Sequence, residues 1–444
     1  MVTLLVSLKL FAIRMFIEIV KRISKFKAVS KAAFFIFYGG RKILWYLEKD
    51  VYLVEGKIKA AFYDFNNKRL VHVSEDAKKL LKNILDAKKN DSELTQKELE
   101  YLESLKSLKL LTREFVEPHE ILDLKEKTFI DFVWIEITTL CNLKCLHCYN
   151  EAENFCGAVM PYEDFCHVID ELVSYGIKKI QLIGGEPFCL GENIIKYLDY
   201  LDGKFDYVEI FTNGTLLNDN FIKYIKEHGI RIALSLYSYN ASEHDRVTQE
   251  KGSWQKTNET IKKLKENNIP YAAKNVLMKN IQLGEKNTDF YTLNPDKDVV
   301  RLTGRASISL ISRELARKRL ITKKTFQRKI SKNFIKRLLS GHNCFSRRLY
   351  FATDLTVYPC VMERRISHGN LRNSKLKDIL NENIFSINKD KIHECLECEF
   401  RYCCFDCRPD SNGNEFYSKS WYCTYMPTSG KWQDEEKFLD GLGL

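Results

Sequence analysis

The sequence predicts an α/β protein built on a parallel sheet, with a small α+β unit ahead of it and a cysteine-rich segment behind. Three observations lead there. From Ile130 onward, short apolar runs alternate with helical patterns, which is how βα units read. Between Val51 and Leu108, three strand-like runs precede two amphipathic helical patterns. Eight of the 14 cysteines lie between Cys344 and Cys423, and three more crowd into Cys141-Asn142-Leu143-Lys144-Cys145-Leu146-His147-Cys148.

A chain of 444 residues is long enough for two or three domains, each with its own core. Disulfide density belongs mainly to small secreted domains. Clustered cysteines in a large α/β chain point instead to a cytoplasmic metalloprotein. Net charge is +11, and the stretch Arg301–Arg348 is heavily basic, with Glu314 nearly alone against it. That stretch reads as a nucleic-acid footprint, an attraction for acidic peptide, or a solvated helix face. The first 20 residues are apolar but interrupted by Lys9, Arg14 and Glu18, and no A-x-A-like cleavage site follows. A signal peptide is rejected because the cysteine chemistry needs a reducing compartment. An amphipathic helix over 1–40 in contact with a membrane surface and a true start at Met15 both stay open.

In chain order, Val51–Val54, Ala60–Tyr63 and Leu70–Val73 read as strands. Ser74 caps a helix whose apolar stripe is Ala77, Leu80, Leu81, Ile84 and Leu85. Thr95 and Glu98 form a capping box for a second helix through Leu102, Leu105 and Leu108. Phe132–Ile137 reads as a buried strand. The helix after Pro161 buries Phe165, Val168, Ile169, Leu172 and Val173 and stops at Gly176. Further strands are expected at Lys179–Ile183, Tyr207–Phe211, Ile232–Leu236, Tyr271–Leu277 and Val299–Leu302.

Cys141, Cys145 and Cys148 sit on the loop leaving the Phe132–Ile137 strand. Three thiols at C-x3-C-x2-C fold around one face of a cubane cluster and leave one iron without a local ligand. An open position is what a catalytic metal centre needs. Free thiols or part of a zinc site are the plainer readings, but zinc prefers paired C-x2-C knuckles. Strand two ends in Gly184-Gly185-Glu186-Pro187, where glycines admit a close ligand and Glu186 can accept from an ammonium.

The triplet and the G-G-E-P turn together resemble the radical SAM enzymes. That resemblance implies a partial (β/α)6 TIM-like barrel over 128–340 and a [4Fe–4S] cluster on Cys141, Cys145 and Cys148. S-adenosylmethionine chelates its open iron and is cleaved to a 5′-deoxyadenosyl radical. It also implies cofactor contacts from Gly185, Glu186 (to the amino group), Asn213 in Thr212-Asn213-Gly214, Ser235 at the end of strand four, and His147 beside the adenine. Many relatives carry an arginine for the cofactor carboxylate where Thr248 falls, and Arg246 is the expected substitute. Arg301 and Arg305 either close the substrate side or are surface arginines.

Cys395-x2-Cys398-x5-Cys404-x2-Cys407, followed by Cys423, resembles the SPASM domain of peptide and protein maturases, here 341–444. The resemblance implies one auxiliary cluster on Cys395, Cys398, Cys404 and Cys423. It implies a second on Cys344, Cys360 and Cys407, with an open iron for a substrate thiolate. Cys403 is spare or replaces Cys404. A zinc ribbon with a basic surface is the competing pattern. Cys156, Cys166 and Cys189 match no motif. The family glycine five residues before Cys360 is Leu355, and the aspartate that sulfatase maturases carry after that cysteine is Val361. Residues 41–118 resemble the winged-helix-like leader-recognition domain of peptide-modifying enzymes, where peptide adds to a strand edge.

The expected function is therefore a cytoplasmic radical SAM/SPASM maturase of a ribosomally made precursor peptide, an oxidoreductase joining a cysteine sulfur to carbon as a thioether. Its electrons would come from a low-potential donor such as ferredoxin or flavodoxin, and no nucleic acid is expected. The alternatives are carbon–carbon crosslinking, epimerisation and formylglycine formation. Outside enzymes, the alternative is a metal-binding nucleic-acid adaptor.

Overall fold

The computed structural model describes residues 45–86, 88–127, 129–151, 157–296 and 298–444. The segment 1–40 and Cys156 lie outside them. No helix among the described residues is long and apolar enough to cross a membrane. The described residues divide into two compact units, residues 45–53 with 73–119, and residues 54–72 with 120–444.

The N-terminal elements are β1 (Tyr46–Leu47), β2 (Val51–Glu55), β3 (Ala60–Asp64), β4 (Arg69–Val73), α1 (Glu75–Leu85), α2 (Gln96–Ser107) and β5 (Leu111–Thr112). In the first unit β1 pairs antiparallel with β5. Ser74 Oγ accepts from Ala77 N and starts α1, which buries Leu80, Leu81 and Ile84. Thr95 Oγ1 accepts from Glu98 N at 3.3 Å while Glu98 accepts from Thr95 N at 2.7 Å, the reciprocal box expected. Helix α2 buries Leu102 and Leu105, whereas Leu108 is its C-cap and is exposed.

The second unit is built on β6 (Phe132–Thr138), α3 (Tyr162–Tyr175), β7 (Lys179–Gly184), α4 (Ile194–Asp199), β8 (Tyr207–Thr212), α5 (Asp219–Glu227) and β9 (Arg231–Ser235). It continues with α6 (Ala241–Thr248), α7 (Ser253–Glu266), β10 (Tyr271–Lys274), α8 (Arg313–Arg319), α9 (Lys332–Ser340), β11 (Arg348–Phe351), β12 (Thr356–Tyr358) and β13 (Gly369–Asn370). One sheet runs in the order β10-β9-β8-β7-β6-β11-β12-β13. Strands β6 to β10 pair in parallel, as βα units require. This is the TIM-like partial barrel expected from the sequence. Val133, Ile135 and Ile137 of β6 and Ile180 and Leu182 of β7 share a core with Phe165, Val168, Ile169 and Leu172 of α3. Val173, expected on that face, is 43% exposed. Gly176 closes α3 with φ 90°, a conformation glycine adopts without strain.

The sixth strand departs from expectation. Val299 makes a single parallel bridge to Leu277, and Val299 and Val300 are buried outside the sheet. A short buried apolar run looks the same to the eye whether or not it pairs. The sheet extends instead past β6, where Arg348–Phe351 lies parallel to Phe132–Ile135 and then pairs antiparallel with β12. The hairpin β3–β4 also packs within this unit. Buried Tyr63 donates to Glu399 O at 3.0 Å, and Lys57 pairs with Glu397 at 2.9 Å.

Candidate active site

The loop after β6 carries the cysteine triplet, and three other segments hold it by its backbone. Gly185 N donates to Thr138 O at 2.8 Å and Glu186 N to Leu140 O at 2.6 Å. A Cβ on Gly185 would lie 2.0 Å from Leu140 O, so only glycine lets the end of β7 approach this closely. From the other side, Leu146 N donates to Val247 O at 2.9 Å and Lys144 N to Thr248 O at 3.2 Å, at the end of α6. Arg305 completes the clamp, donating from N to Cys148 O at 3.1 Å and from Nε to Cys145 O at 3.0 Å. Gly304, with φ 57°, permits that approach, because a Cβ there would meet Cys148 O at 2.3 Å.

Cys141, Cys145 and Cys148 line one cavity of about 360 Å³ at the C-terminal ends of the strands. That volume falls within the usual span of small-molecule sites, about 300–1,000 Å³. Of the five expected cofactor contacts, His147, Gly185, Asn213 and Ser235 also line it. Glu186 does not. Its carboxylate is fully buried and accepts from Thr212 Oγ1 at 2.7 Å, Asn213 N at 2.6 Å and Phe188 N at 3.1 Å, tying β7 to β8. Burial pushes its pKa up to about 7 against those hydrogen bonds.

Burial, then the neighbouring Cys148, pushes the Cys145 thiol up to about 12, and burial with Glu186 raises Cys141 further. Thiols in such surroundings ionise only when a cation takes the charge, which an iron–sulfur cluster supplies. The His147 ring lies 4.9 Å from the Tyr237 ring, and burial with nearby Arg305 lowers its pKa to about 4. Its Nδ1 is buried without a partner, so a neutral ring offers an unused polar atom beside the triplet. Among the described residues no group of three or more His, Cys, Asp or Glu converges on a single metal ion. A cubane takes one thiolate per iron around its outside and needs no such convergence. The donor set, the cavity and the orphaned Nδ1 fit a cluster with a small cofactor against it.

The arginine expectations separate. Arg246 is bonded to Glu243 at 2.6 Å and to Asn280 O, is not among the cavity-lining residues, and does not stand in for a carboxylate contact. Thr248 is buried, with Oγ1 2.7 Å from Ser253 Oγ. Arg301 lines the cavity and pairs with Asp410 at 3.4 Å. Lys274 and Asp298, unremarked in the sequence, line it too. Val361 and Met362, directly after Cys360, form part of the same wall.

Cys395, Cys398, Cys404 and Cys423 line a second, narrow cavity together with Lys389. Cys403 is turned elsewhere, donating to Phe400 O and accepting from Tyr63 Oη at 3.5 Å. Burial pushes the Cys395 thiol up to about 11 and raises Cys398, Cys404 and Cys423 as well. Cys344 and Cys360 flank one apolar cluster around Phe345, and burial raises Cys360 to about 12 and Cys407 further, each partly through the other or Cys344. Cys344 is the exception: burial raises it, but His342, with Arg348 and Arg301, holds it below the ordinary thiol value. Cys189 accepts from the Asn142 amide and lies near Cys141. Cys166 is half-buried on α3 beside Tyr162.

Residues 135–288 match the model of the Radical SAM superfamily. The chain is 36% identical over 136 residues to the antilisterial bacteriocin subtilosin biosynthesis protein AlbA of Bacillus subtilis, covering 30% of each protein. It is 29% identical over 162 residues to a GTP 3′,8-cyclase of Clostridium perfringens, covering 35% of this chain and 49% of that one. The chain thus spans half or less of the length of these curated relatives. Among solved structures, Streptococcus suis SuiB superposes with a TM-score of 0.51 at 14% identity, over 85% of this chain and all of SuiB. SuiB bound to its precursor peptide SuiA gives 0.50, over 82% and 96%. With the triplet, the glycine-rich turn and the parallel sheet accounted for, residues 135–288 form a Radical SAM domain.

Proposed function

We propose that this protein is a radical SAM/SPASM maturase that forms a thioether within a ribosomally made precursor peptide. The observation that carries the reading is the shared cavity. Its wall runs from the cysteine triplet to Val361 and Met362, so a substrate held there spans the distance from the first cysteine set to Cys360. The similarity to a bacteriocin biosynthesis protein supports a peptide substrate, as does a fold shared with a protein that has been seen with a precursor peptide. The match to a GTP 3′,8-cyclase covers only 35% of the chain and supports no more than a common domain.

When bound, the cluster on Cys141, Cys145 and Cys148 and S-adenosylmethionine supply a 5′-deoxyadenosyl radical able to take a hydrogen atom. The chain's own part is positioning and protection. Arg305 and the carbonyls of Val247 and Thr248 fix the cysteine loop. His147, Gly185, Asn213 and Ser235 are read as cofactor contacts, and Glu186 as the brace behind them. Cys395, Cys398, Cys404 and Cys423 are read as one auxiliary cluster site, and Cys344, Cys360 and Cys407 as a second with room for a substrate thiolate. Val361 offers the cavity no proton acceptor, which favours sulfur–carbon coupling over formylglycine formation. The strands and helices between Val51 and Ser107 support a leader-recognition role. Thiol-held clusters require a reducing compartment, hence the cytoplasm, and a low-potential electron donor such as ferredoxin or flavodoxin.

Thioether formation removes two hydrogens from the peptide, one from carbon and one from the thiol. Anaerobic incubation with S-adenosylmethionine, dithionite and a cysteine-containing peptide encoded beside the gene should therefore lower the peptide mass by two hydrogens and protect one cysteine from alkylation. A changed mass with the cysteine still free would replace the thioether by another radical modification. Absence of 5′-deoxyadenosine would remove the enzyme reading altogether.

A further inference from the structure

We propose that Lys389 is an electrostatic positioning residue for the cysteine quartet, its buried ammonium raising the reduction potential of the iron–sulfur centre held there. The inference rests on reading Cys395, Cys398, Cys404 and Cys423 as the ligands of such a centre. Lys389 lines the same cavity as the four sulfurs, and its Nζ lies 4.0 Å from Cys395 Sγ. Asp406 fixes it from behind, with Oδ2 2.6 Å from Nζ. The same carboxylate pairs with Arg408 and accepts from Ser420 Oγ at 2.6 Å, while His342 donates to the Asp406 carbonyl at 2.9 Å. Lys389, Asp406 and Arg408 are all buried.

Lys389 and Arg408 therefore share one carboxylate, with the His342 ring 3.7 Å from its other oxygen, so positive charge is in excess in a place where burying it is costly. Four thiolates facing that excess would balance it. Asp406 lies between Cys404 and Cys407 in sequence, so the network sits where the two cysteine sets meet in the chain. The triplet's cavity also holds basic side chains, Lys274 and Arg301, and Arg305 is bonded to the loop's backbone. One-electron reduction adds a negative charge to a centre without making or breaking a bond. A fixed ammonium at this range stabilises the reduced state more than the oxidised one, and net charge near the sulfurs is one of the levers that set such potentials.

The test uses the full-length chain carrying Cys141→Ala, Cys145→Ala, Cys148→Ala and Cys360→Ala, reconstituted anaerobically with iron and sulfide, so that the quartet is the remaining four-thiol set. Its midpoint potential is followed by electron paramagnetic resonance against Lys389→Met and Lys389→Arg. Lys389→Met should retain a centre with a more negative midpoint, and Lys389→Arg should return it towards the parent value. Iron lost in Lys389→Met but kept in Lys389→Arg supports the same role for the charge. An unchanged midpoint in Lys389→Met overturns the proposal, as does equal iron loss in both variants, which would mark Lys389 as a packing residue. A parent that binds no iron overturns the quartet reading itself and the inference with it.

Discussion

Leu355 occupies the position where the SPASM resemblance has glycine, and the backbone explains both residues. Its φ is 69°, in the left-handed region that glycine enters freely and leucine does not. Yet the side chain is buried in the core between β11 and β12. Two effects oppose each other: left-handed strain of about 1–2 kcal/mol and removal of a buried leucine at about 2–5 kcal/mol. The second is larger. Leu355→Gly should therefore destabilise the protein by about 1–3 kcal/mol in urea unfolding, and a more stable variant would show that strain dominates. Glu186 teaches a related lesson. Its sequence context suggests a ligand contact, but its oxygens are occupied by Phe188, two residues on, and by Thr212 and Asn213, which only the approach of β7 to β8 provides.

At the scale of single elements, local rules hold well. Ser74, the Thr95–Glu98 box, the helix that ends at Gly176 and the parallel strands Lys179–Gly184 and Tyr207–Thr212 were all legible, because caps and periodicity involve neighbours in sequence. The box carries a pH prediction. The Thr95 amide, then Lys89, holds Glu98 down to about 2 from an ordinary 4.5. A depressed acid contributes stability that is complete above 4.5 and is lost as pH falls towards 2. Thr95→Ala should lower stability by about 1 kcal/mol at neutral pH. Thr95→Ala keeps the Thr95 amide, so the test of the carboxylate is Glu98→Gln, whose difference from wild type should shrink as the pH falls through that window. A difference independent of pH would mean that Glu98 plays no part in the cap. What escaped local reading was β11, because Arg348–Phe351 closes a basic run and pairs with a strand more than two hundred residues earlier.

For the whole molecule the open quantity is the number of metal centres. If all three cysteine sets hold four-iron clusters, the anaerobically purified chain should contain about twelve irons, falling to about eight when Cys141, Cys145 and Cys148 are replaced by alanine. About four irons with cleavage of S-adenosylmethionine would leave the radical enzyme and remove the auxiliary centres. Zinc with little iron and no cleavage would favour a metal-binding adaptor, whose RNA or DNA binding would weaken steeply with salt.

By itself the sequence determined the Radical SAM domain, the parallel α/β architecture, the cysteine spacings and four residues that line the cavity, His147, Gly185, Asn213 and Ser235, since each rests on short-range spacing. The tertiary structure alone decided which groups meet. It turned Cys404 into the quartet's cavity and Cys403 towards Tyr63, and it moved Arg246 to the outside. It made Arg305 a clamp on the triplet, and it left Val299 with one bridge while β11 joined the sheet. The physical reason is common to all of these. Which partner a buried polar group or strand edge finds depends on segments far away in the chain, and spacing within one segment carries no record of them.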